Sequence, residues 1–580
     1  MAFKRNNNVI DSPGNNFATL NPLVQTSATL SEGNLKCAVG TSAAKVFGNF
    51  LLPNSGKWYW EVMFISGGDN SEAGGGVGIA KITTSTSAHV GNDAESYAYR
   101  QNGHKANSGS AEAYHDSYTN LKVIQFLWNG DNKSITFGVD GSMATSEAYA
   151  ELSGEFYPAF GDNSSGSSAT FSVNFGQDPT FTGEKTDSAG FSPTDGSPGR
   201  FYYQPPEGAK ALCSANLPML IENPQEHFKA VTWTGTESTG PSDANSIYVG
   251  HQPDLIWIKS RNAAHSHYLF DSVRGLSNGN WLISDTTDDE ETAVDQQFNI
   301  TSTGIDLLTG YNATNNSDTT YVGWCWKAGG GGGKYNIDGV PYLDFANTGL
   351  TAGDITPSKM SVNTKAGFSI VKYEGNGNTG AKIAHGLNSA PEMIILKGLE
   401  NTFSWETQHK DISLVGAGLH FDTATKYNSG ASDRWNSQRA DSSVITVSNN
   451  GAVNESGKDY IMYSWHSVPG YSSIGSYTGN GSADGPFVYT GFKPAWVMIK
   501  NTSDSNSWMI LDNQRSIHNL SHQAIRAESS GLEITNQETN FGTDLLSNGF
   551  KPKTSGATTV NSNNAPNNEY IYMAFAEHSM

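Results

Sequence analysis

Apolar and aromatic residues along the chain gather in runs of four to eight, broken by clusters of Gly, Asn, Asp and Ser, a pattern that predicts strands and turns rather than helices. Before residue 210 the runs lie at 57–64, 76–80, 123–128, 134–139, 157–160 and 169–176. Asn129 and Gly130 supply a hairpin turn between the third and fourth runs, and Asp140 with Gly141 a second turn. Helix is expected only as a turn or two near Ser521 to Ser529.

Beyond residue 210 one layout recurs three times. The first segment opens around Trp233, carries an apolar run from Pro253 to Lys259 and closes at 321–326. The second opens around Tyr373, runs from Pro391 to Lys397 and closes at 460–465; the third opens around Tyr477, runs from Pro494 to Lys500 and closes at 570–575. Opening aromatic to proline spans 20, 18 and 17 residues, and opening aromatic to closing Tyr (Tyr321, Tyr460, Tyr570) spans 88, 87 and 93. Constant spacing with little identity between landmarks is what tandem copies of one β-domain leave, because core strands keep position while loops drift. Each post-proline run is short and nearly continuously apolar, which fits a strand buried on both faces. Proline at its start need not donate to the ladder.

These patterns predict an all-β fold in which one β-sandwich is followed by three tandem related antiparallel β-sandwich domains. The expected divisions are an N-terminal arm at 1–21, a first domain at 22–210, repeat domains at 211–333, 368–469 and 470–580, and a linker insertion at 334–367. Glycines 329–333 predict a flexible hinge, and Asp338-Gly339 a small inserted hairpin. The short link Val468-Pro469-Gly470 implies that the last two segments form a rigid tip.

Composition narrows the function classes. The 580 residues carry 35 Lys+Arg against 56 Asp+Glu, a net charge of −21, with no dense basic run, so no nucleic-acid partner is expected. No apolar stretch reaches the roughly 18 residues that span a bilayer, and the polar start lacks the apolar core of a signal peptide, so no membrane insertion and synthesis in a cytoplasm are expected. Cys37, Cys213 and Cys325 are odd in number and far apart, which argues for buried thiols rather than disulfides or a zinc site.

The run around Gly56 to Val62, the Gly76-Val77-Gly78-Ile79 strand, the apolar pair around Asn129-Gly130 and the late Val173-Asn174-Phe175-Gly176 together resemble a SPRY domain over roughly residues 20 to 180. The flanking 11–22 and 212–218 are similar to segments that border such domains in virion proteins of marine bacteriophages. The three downstream segments, including 270–275 and the closing 575–578, resemble the repeated domain that follows in those proteins. The resemblance implies a SPRY-like sandwich at 22–210 and a phage structural protein of the tail fibre class.

Several side-chain groups invite a chemical reading. The acidic loop Asp285, Asp288, Asp289, Glu290 and Glu291 could hold a carboxylate pair or a Ca²⁺ ion, but it lacks EF-hand spacing and reads as a solvated loop. Asp271 with Arg274 is matched by Asp512 with Arg515, both Asp residues lying 18 after the landmark proline, whereas the second segment has His409 and Ile412 instead. A catalytic pair is not carried twice and lost once, so these read as turn-fixing ion pairs. His265 and His267 lack a third metal ligand. Loop-borne rings are the remaining candidates: Trp405, Trp435 and Trp508 are the expected ligand-binding residues, with Trp281 a further loop ring.

The expected function is therefore that of a phage virion structural protein, a tail fibre or receptor-binding protein mediating host attachment. It is not expected to be an enzyme, and no catalytic residue, metal or cofactor is assigned. Head decoration or tail connector proteins and surface-polysaccharide depolymerases are the alternatives. Expected partners are other virion proteins through the N-terminal arm and a host surface glycan or protein; a homo-oligomer, favouring a trimer, and a tail location complete the picture.

Overall fold

In the computed structural model, residues 15–578 are described except 26–27, 41–43, 68–75, 83, 163–168, 186–189, 218–220, 277–279, 293–297, 352, 413–417, 428–432, 536–540 and 555–562. The chain divides into two compact units, Met1–Pro218 and Met219–Ser579. It is all-β, and among the described residues the α-helix is the short Gly451–Asn454, capped by the Asn450 side chain accepting from Ala452 N. Among the described residues no helix is long and apolar enough to cross a membrane.

The first unit is a sandwich of two antiparallel sheets. One runs Leu20–Gln25, Ala44–Gly48, Tyr157–Asp162, Gly76–Ala80, Ser96–Tyr99, His104–Asn107 and Ser110–Ala113. The other runs Ser142–Met143, Ser134–Val139, Lys122–Asn129, Lys57–Ser66, Ala169–Asn174, Lys36–Val39 and Ala28–Ser31, with Ala209–Ala211 added parallel to Lys57–Ser66. Strand Lys57–Ser66 is buried almost throughout because successive side chains meet different covers. Trp60 stacks on Phe126 on one face, while Tyr59 meets Phe201 edge-on on the other.

The predicted arm ends sooner than expected. Residues 1–14 lie outside the described residues, whereas Phe17 is buried beside Tyr59 and Phe201, Ala18 N donates to Leu212 O, and Leu20–Gln25 is a strand. Residues 15–21 are thus part of the sandwich: their apolar side chains and backbone donors are satisfied there rather than left for a partner.

In the second unit, three large sheets share one antiparallel run of four strands: opening strand, closing strand, post-proline strand, then the next strand. These are Phe228–Thr234, Thr320–Trp326, Leu255–Ser260 and Tyr268–Asp271; then Phe368–Glu374, Asp459–Trp465, Met393–Gly398 and Glu406–His409; then Ser472–Thr478, Glu569–Ala576, Pro494–Asn501 and Met509–Asp512. The landmark aromatics are cross-strand partners in register: Trp233 opposite Tyr321, Tyr373 opposite Tyr460, Tyr477 opposite Tyr570. Their rings stack at 5.5, 5.2 and 4.9 Å between centroids. The closing tyrosine hydroxyl also accepts from the backbone five residues earlier each time, at Asn316, Glu455 and Ala565. The preceding buried asparagine, Asn315, Asn454 or Asn564, accepts through Oδ1 from Thr236, Asn376 or Asn480 N and so fixes the end of the opening strand.

Each post-proline strand is buried on both faces, as its unbroken apolar run predicts. In the first segment Ile256 and Ile258 pack with Phe298 and Ile305 beneath a small second sheet. Leu255 and Trp257 face the other way, into a core that also holds Ile395, Tyr463 and Trp465 of the second segment and Trp496, Met498 and Phe575 of the third. The three segments are therefore not separate sandwiches in a row; they share one core.

Three local expectations change. Glycines 329–333 do not form a free hinge: Gly329 N donates to Ser361 Oγ, Gly330 N to Asp254 Oδ2, and a side chain at Gly329 would meet Asn336 O at 2.5 Å. The hairpin Tyr335–Ile337 and Val340–Tyr342 forms around Asp338-Gly339 as expected, but it extends the second segment's sheet instead of standing between domains. Residues 521–529 are not helical; Ile525–Arg526 is a strand on the edge of the third sheet, where pairing with Met509–Asp512 outweighs local preference.

Candidate functional site

The residues that carry chemistry in the second unit converge on the seams between the three segments. Fourteen residues after the landmark proline stand His267, Trp405 and Trp508. Trp405 Nε1 donates to Ile283 O of the first segment at 3.0 Å, and Trp508 Nε1 to His420 O of the second at 3.0 Å. His267 Nδ1 accepts from Trp257 Nε1 at 2.8 Å, which places the proton on Nε2, and Nε2 lies 2.9 Å from Arg526 O of the third segment. The second segment thus holds the first, the first holds the third and the third holds the second: the donors form a closed cycle. Burial, reinforced by Lys259, pushes the His267 pKa well below its ordinary range, so the neutral tautomer is the one held.

A second set of contacts follows the same cycle. Arg274 Nε bonds Asp271 Oδ2, its Nη1 reaches Glu290 at 3.0 Å and its Nη2 donates to Leu269 O. Tyr463 of the second segment then donates to Asp271 Oδ2 at 2.7 Å. In the third segment Arg515 repeats this with Asp512, Glu533 and Ile510 O, and Trp324 Nε1 of the first segment donates to Asp512 Oδ2 at 3.0 Å. Both pairs are ion pairs that fix their turns, as expected, with Asp271 Oδ1 accepting Val273 N and Arg274 N and Asp512 Oδ1 accepting Gln514 N and Arg515 N; they are also fully buried and bind a neighbouring segment. At the third seam Tyr463 and Trp324 have Met573 as counterpart, and Asp and Arg are replaced by His409 and Ile412. Donor and acceptor are absent together.

The lysines that end the post-proline strands, Lys259, Lys397 and Lys500, are all buried. Lys397 Nζ donates to Thr287 O of the first segment at 3.2 Å, and Lys500 Nζ to Ala424 O of the second at 2.8 Å. Burial pushes all three amines down to about 8.

The tryptophans expected to meet a ligand are interior. Trp405, Trp435 and Trp508 are 0%, 1% and 1% exposed, and Trp281 is buried as well. Trp405 and Trp508 cross seams, whereas Trp435 packs with Tyr373 and Val453 inside the second segment. Neighbouring segments close over Trp405 and Trp508, whereas Trp435 and Trp281 are taken up by the cores of their own segments. The acidic loop is also partly consumed: Asp285 Oδ1 accepts His267 N at 2.8 Å and Glu290 pairs with Arg274. His265 is half-buried, and among the described residues no group of three or more His, Cys, Asp or Glu is placed to hold a metal. A void bounded by Trp257, Trp326, Phe421, Tyr463 and Met573 is wholly apolar, with room for about one water, and offers no polar group to orient a substrate. All three cysteines are buried free thiols.

In the first unit the polar centre is Glu61. Its carboxylate accepts from Tyr202 N at 2.7 Å, Tyr203 N at 2.8 Å, Tyr59 Oη at 3.0 Å and Asn174 Nδ2 at 3.3 Å, clamping the chain after residue 200 onto the sheet. Complete burial outweighs these four bonds and raises its pKa to about 7.

The repeated offset of His267, Trp405 and Trp508 is visible in the sequence, but a histidine among tryptophans hides the shared role of an N–H ring. The buried lysines recur six residues after the landmark prolines and the central asparagines six before the closing tyrosines, but their burial and bonding partners come from strand register and from the packing of the segments.

Comparison with known proteins adds the following. A family model described as "Domain of unknown function (DUF7483)" matches residues 223–579, and a SPRY domain model matches residues 57–178. Curated proteins give no match. Among solved structures, the SPRY domain of human HERC1 is 19% identical with a TM-score of 0.24, covering 27% of this chain and 96% of that one. Stonustoxin is 19% identical with a TM-score of 0.22, covering 27% of each chain. The TRIM65 PSpry domain is 13% identical with a TM-score of 0.22, covering 27% of this chain and 92% of that one.

Proposed function

The chain belongs to the DUF7483 family, with a SPRY domain ahead of the family region, and we propose that it is a bacteriophage virion structural protein of the tail fibre or receptor-binding class, acting by binding and not by catalysis. The three segments of its second unit are, in this reading, tandem copies of one domain. The observation that carries the non-enzymatic reading is the closed cycle of seam contacts. The Asp, Arg, His, Lys and Trp side chains that a hydrolase or a sugar-binding loop would display are turned inward and used to hold three segments as one body. A single body of this kind suits a protein that transmits load between a particle and a host surface.

Contact with a host glycan or protein then falls to exposed side chains such as Tyr248, Leu343 and Ile517 rather than to the buried tryptophans. Docking onto other virion proteins is assigned to the chain before residue 15, and assembly is as a homo-oligomer, with a trimer expected. Labelling intact particles with an antibody to the second unit, viewed by electron microscopy, tests the reading. Signal on the tail is expected; signal confined to the capsid overturns the tail assignment, and release of reducing ends from host polysaccharide by the purified protein overturns the non-enzymatic one.

A further inference from the structure

The three seams are not held alike. The second and third segments are bridged by the chain itself, since strand Asp459–Trp465 is followed directly by Ser472–Thr478, with Val468 N bonded to both Ser472 O and Ser472 Oγ. This tethered seam is the one that lacks the acid–arginine clasp, having His409, Ile412 and Met573 in its place. A short tether keeps two faces at high effective concentration, so a clasp adds little there.

The first and third segments have a whole segment between them in the chain. Their seam gathers the densest set of charged contacts. Glu533 of the third segment receives Arg261 of the first through Nε at 3.2 Å to each carboxylate oxygen and through Nη2 at 3.0 Å to Oε2. The same carboxylate receives Arg515 Nη1 at 3.1 Å, and Glu533 N donates to Arg261 O at 2.9 Å. Arg515 in turn holds Asp512, the acceptor of Trp324 Nε1, and lies 5.7 Å from the centre of that ring. One carboxylate thereby couples an arginine from each side of the only seam between segments that do not follow one another in the chain.

We propose that the first–third seam is the joint at which the second unit opens and closes, with Glu533 as its latch. Opening separates the first segment from the third and leaves the tethered second–third pair together. The second segment's hold on the first, through Trp405 and Tyr463, is a separate contact that the latch does not touch. The proposal stands whether or not the protein belongs to a virion.

Hydrogen exchange on the full chain tests it, comparing Ile525–Arg526 at this seam with Asn280–Ile283, which faces the second segment. E533Q removes the charge shared by two arginines and is expected to speed exchange at Ile525–Arg526 by at least about tenfold while leaving Asn280–Ile283 unchanged. R261C/E533C, joined where the backbones are already hydrogen-bonded, is expected to keep full protection when oxidised and to lose it at Ile525–Arg526 on reduction. An equal rise at both strands in E533Q overturns the proposal. Should E533Q not fold, equal protection of the oxidised and reduced double variant overturns it alone.

Discussion

The Tyr463 hydroxyl donates a 2.7 Å hydrogen bond to Asp271 Oδ2 across 192 residues of sequence, and its ring stands where Trp324 stands in the first segment and Met573 in the third. Trp324 makes the corresponding bond to Asp512 across 188 residues. Two long-range bonds of one pattern, each from a closing strand to a post-proline hairpin, tie the segments in a fixed sense of rotation. Packing alone does not set that sense, because apolar contacts are non-directional.

Replacing Asp512 with Asn strips one of the two carboxylates that Arg515 pairs with and leaves the buried guanidinium with Glu533 alone. The expected loss is about 3–5 kcal/mol of stability in the second unit. Breaking the exposed Lys36–Glu184 pair in the first unit is expected to cost at most about 1 kcal/mol. Denaturant unfolding of the two variants, followed by tryptophan fluorescence, separates these outcomes.

Trp405→Phe and Trp508→Phe keep most of the ring but leave Ile283 O and His420 O without their donor. Each is expected to cost about 1–3 kcal/mol. The two are expected to act on the same transition, since they belong to one cycle. Host adsorption by the folded variants is expected to be unchanged, because neither ring reaches the surface.

The strands and their recurring spacing were legible in the sequence. The offsets from opening aromatic to closing tyrosine correspond to stacked cross-strand pairs, and the apolar runs after Pro253, Pro391 and Pro494 are strands buried on both faces. How the segments meet was not legible. Burial on both faces is equally compatible with a separate two-sheet sandwich and with a sheet whose second face enters a shared core, so Trp257 and Trp496 read as ordinary core residues of isolated domains. Trp405 and Trp508 follow the strand end in loop-like sequence, which suggested exposure, yet a loop is buried when a neighbouring segment covers it. Glycines 329–333 read as a hinge because composition reports chain freedom and not the acceptors, Asp254 and Ser361, that remove it.

Glu61 gives the first unit a distinct pH response. Its folded pKa, raised to about 7 by burial, lies above the roughly 4.3 of an unfolded glutamate, so the folded state binds more protons between those values. The stability contributed by protonation is fully present below about pH 4.3 and is lost as pH rises through about 7. Thermal unfolding of the first unit between pH 5 and 8 is expected to show stability falling with pH. Glu61→Gln is expected to flatten that slope while lowering stability overall, since an amide cannot accept from Tyr202 N and Tyr203 N through both of its atoms.

The central claim is that the three segments of residues 219–579 form one cooperative body through a shared core and a closed cycle of bonds. Differential scanning calorimetry of the full chain tests it most directly. One transition for the second unit, with equal calorimetric and van't Hoff enthalpies, and at most one other for the first unit is the predicted result. Three separate transitions within the second unit, each shifted alone by a substitution in its own segment, would contradict it.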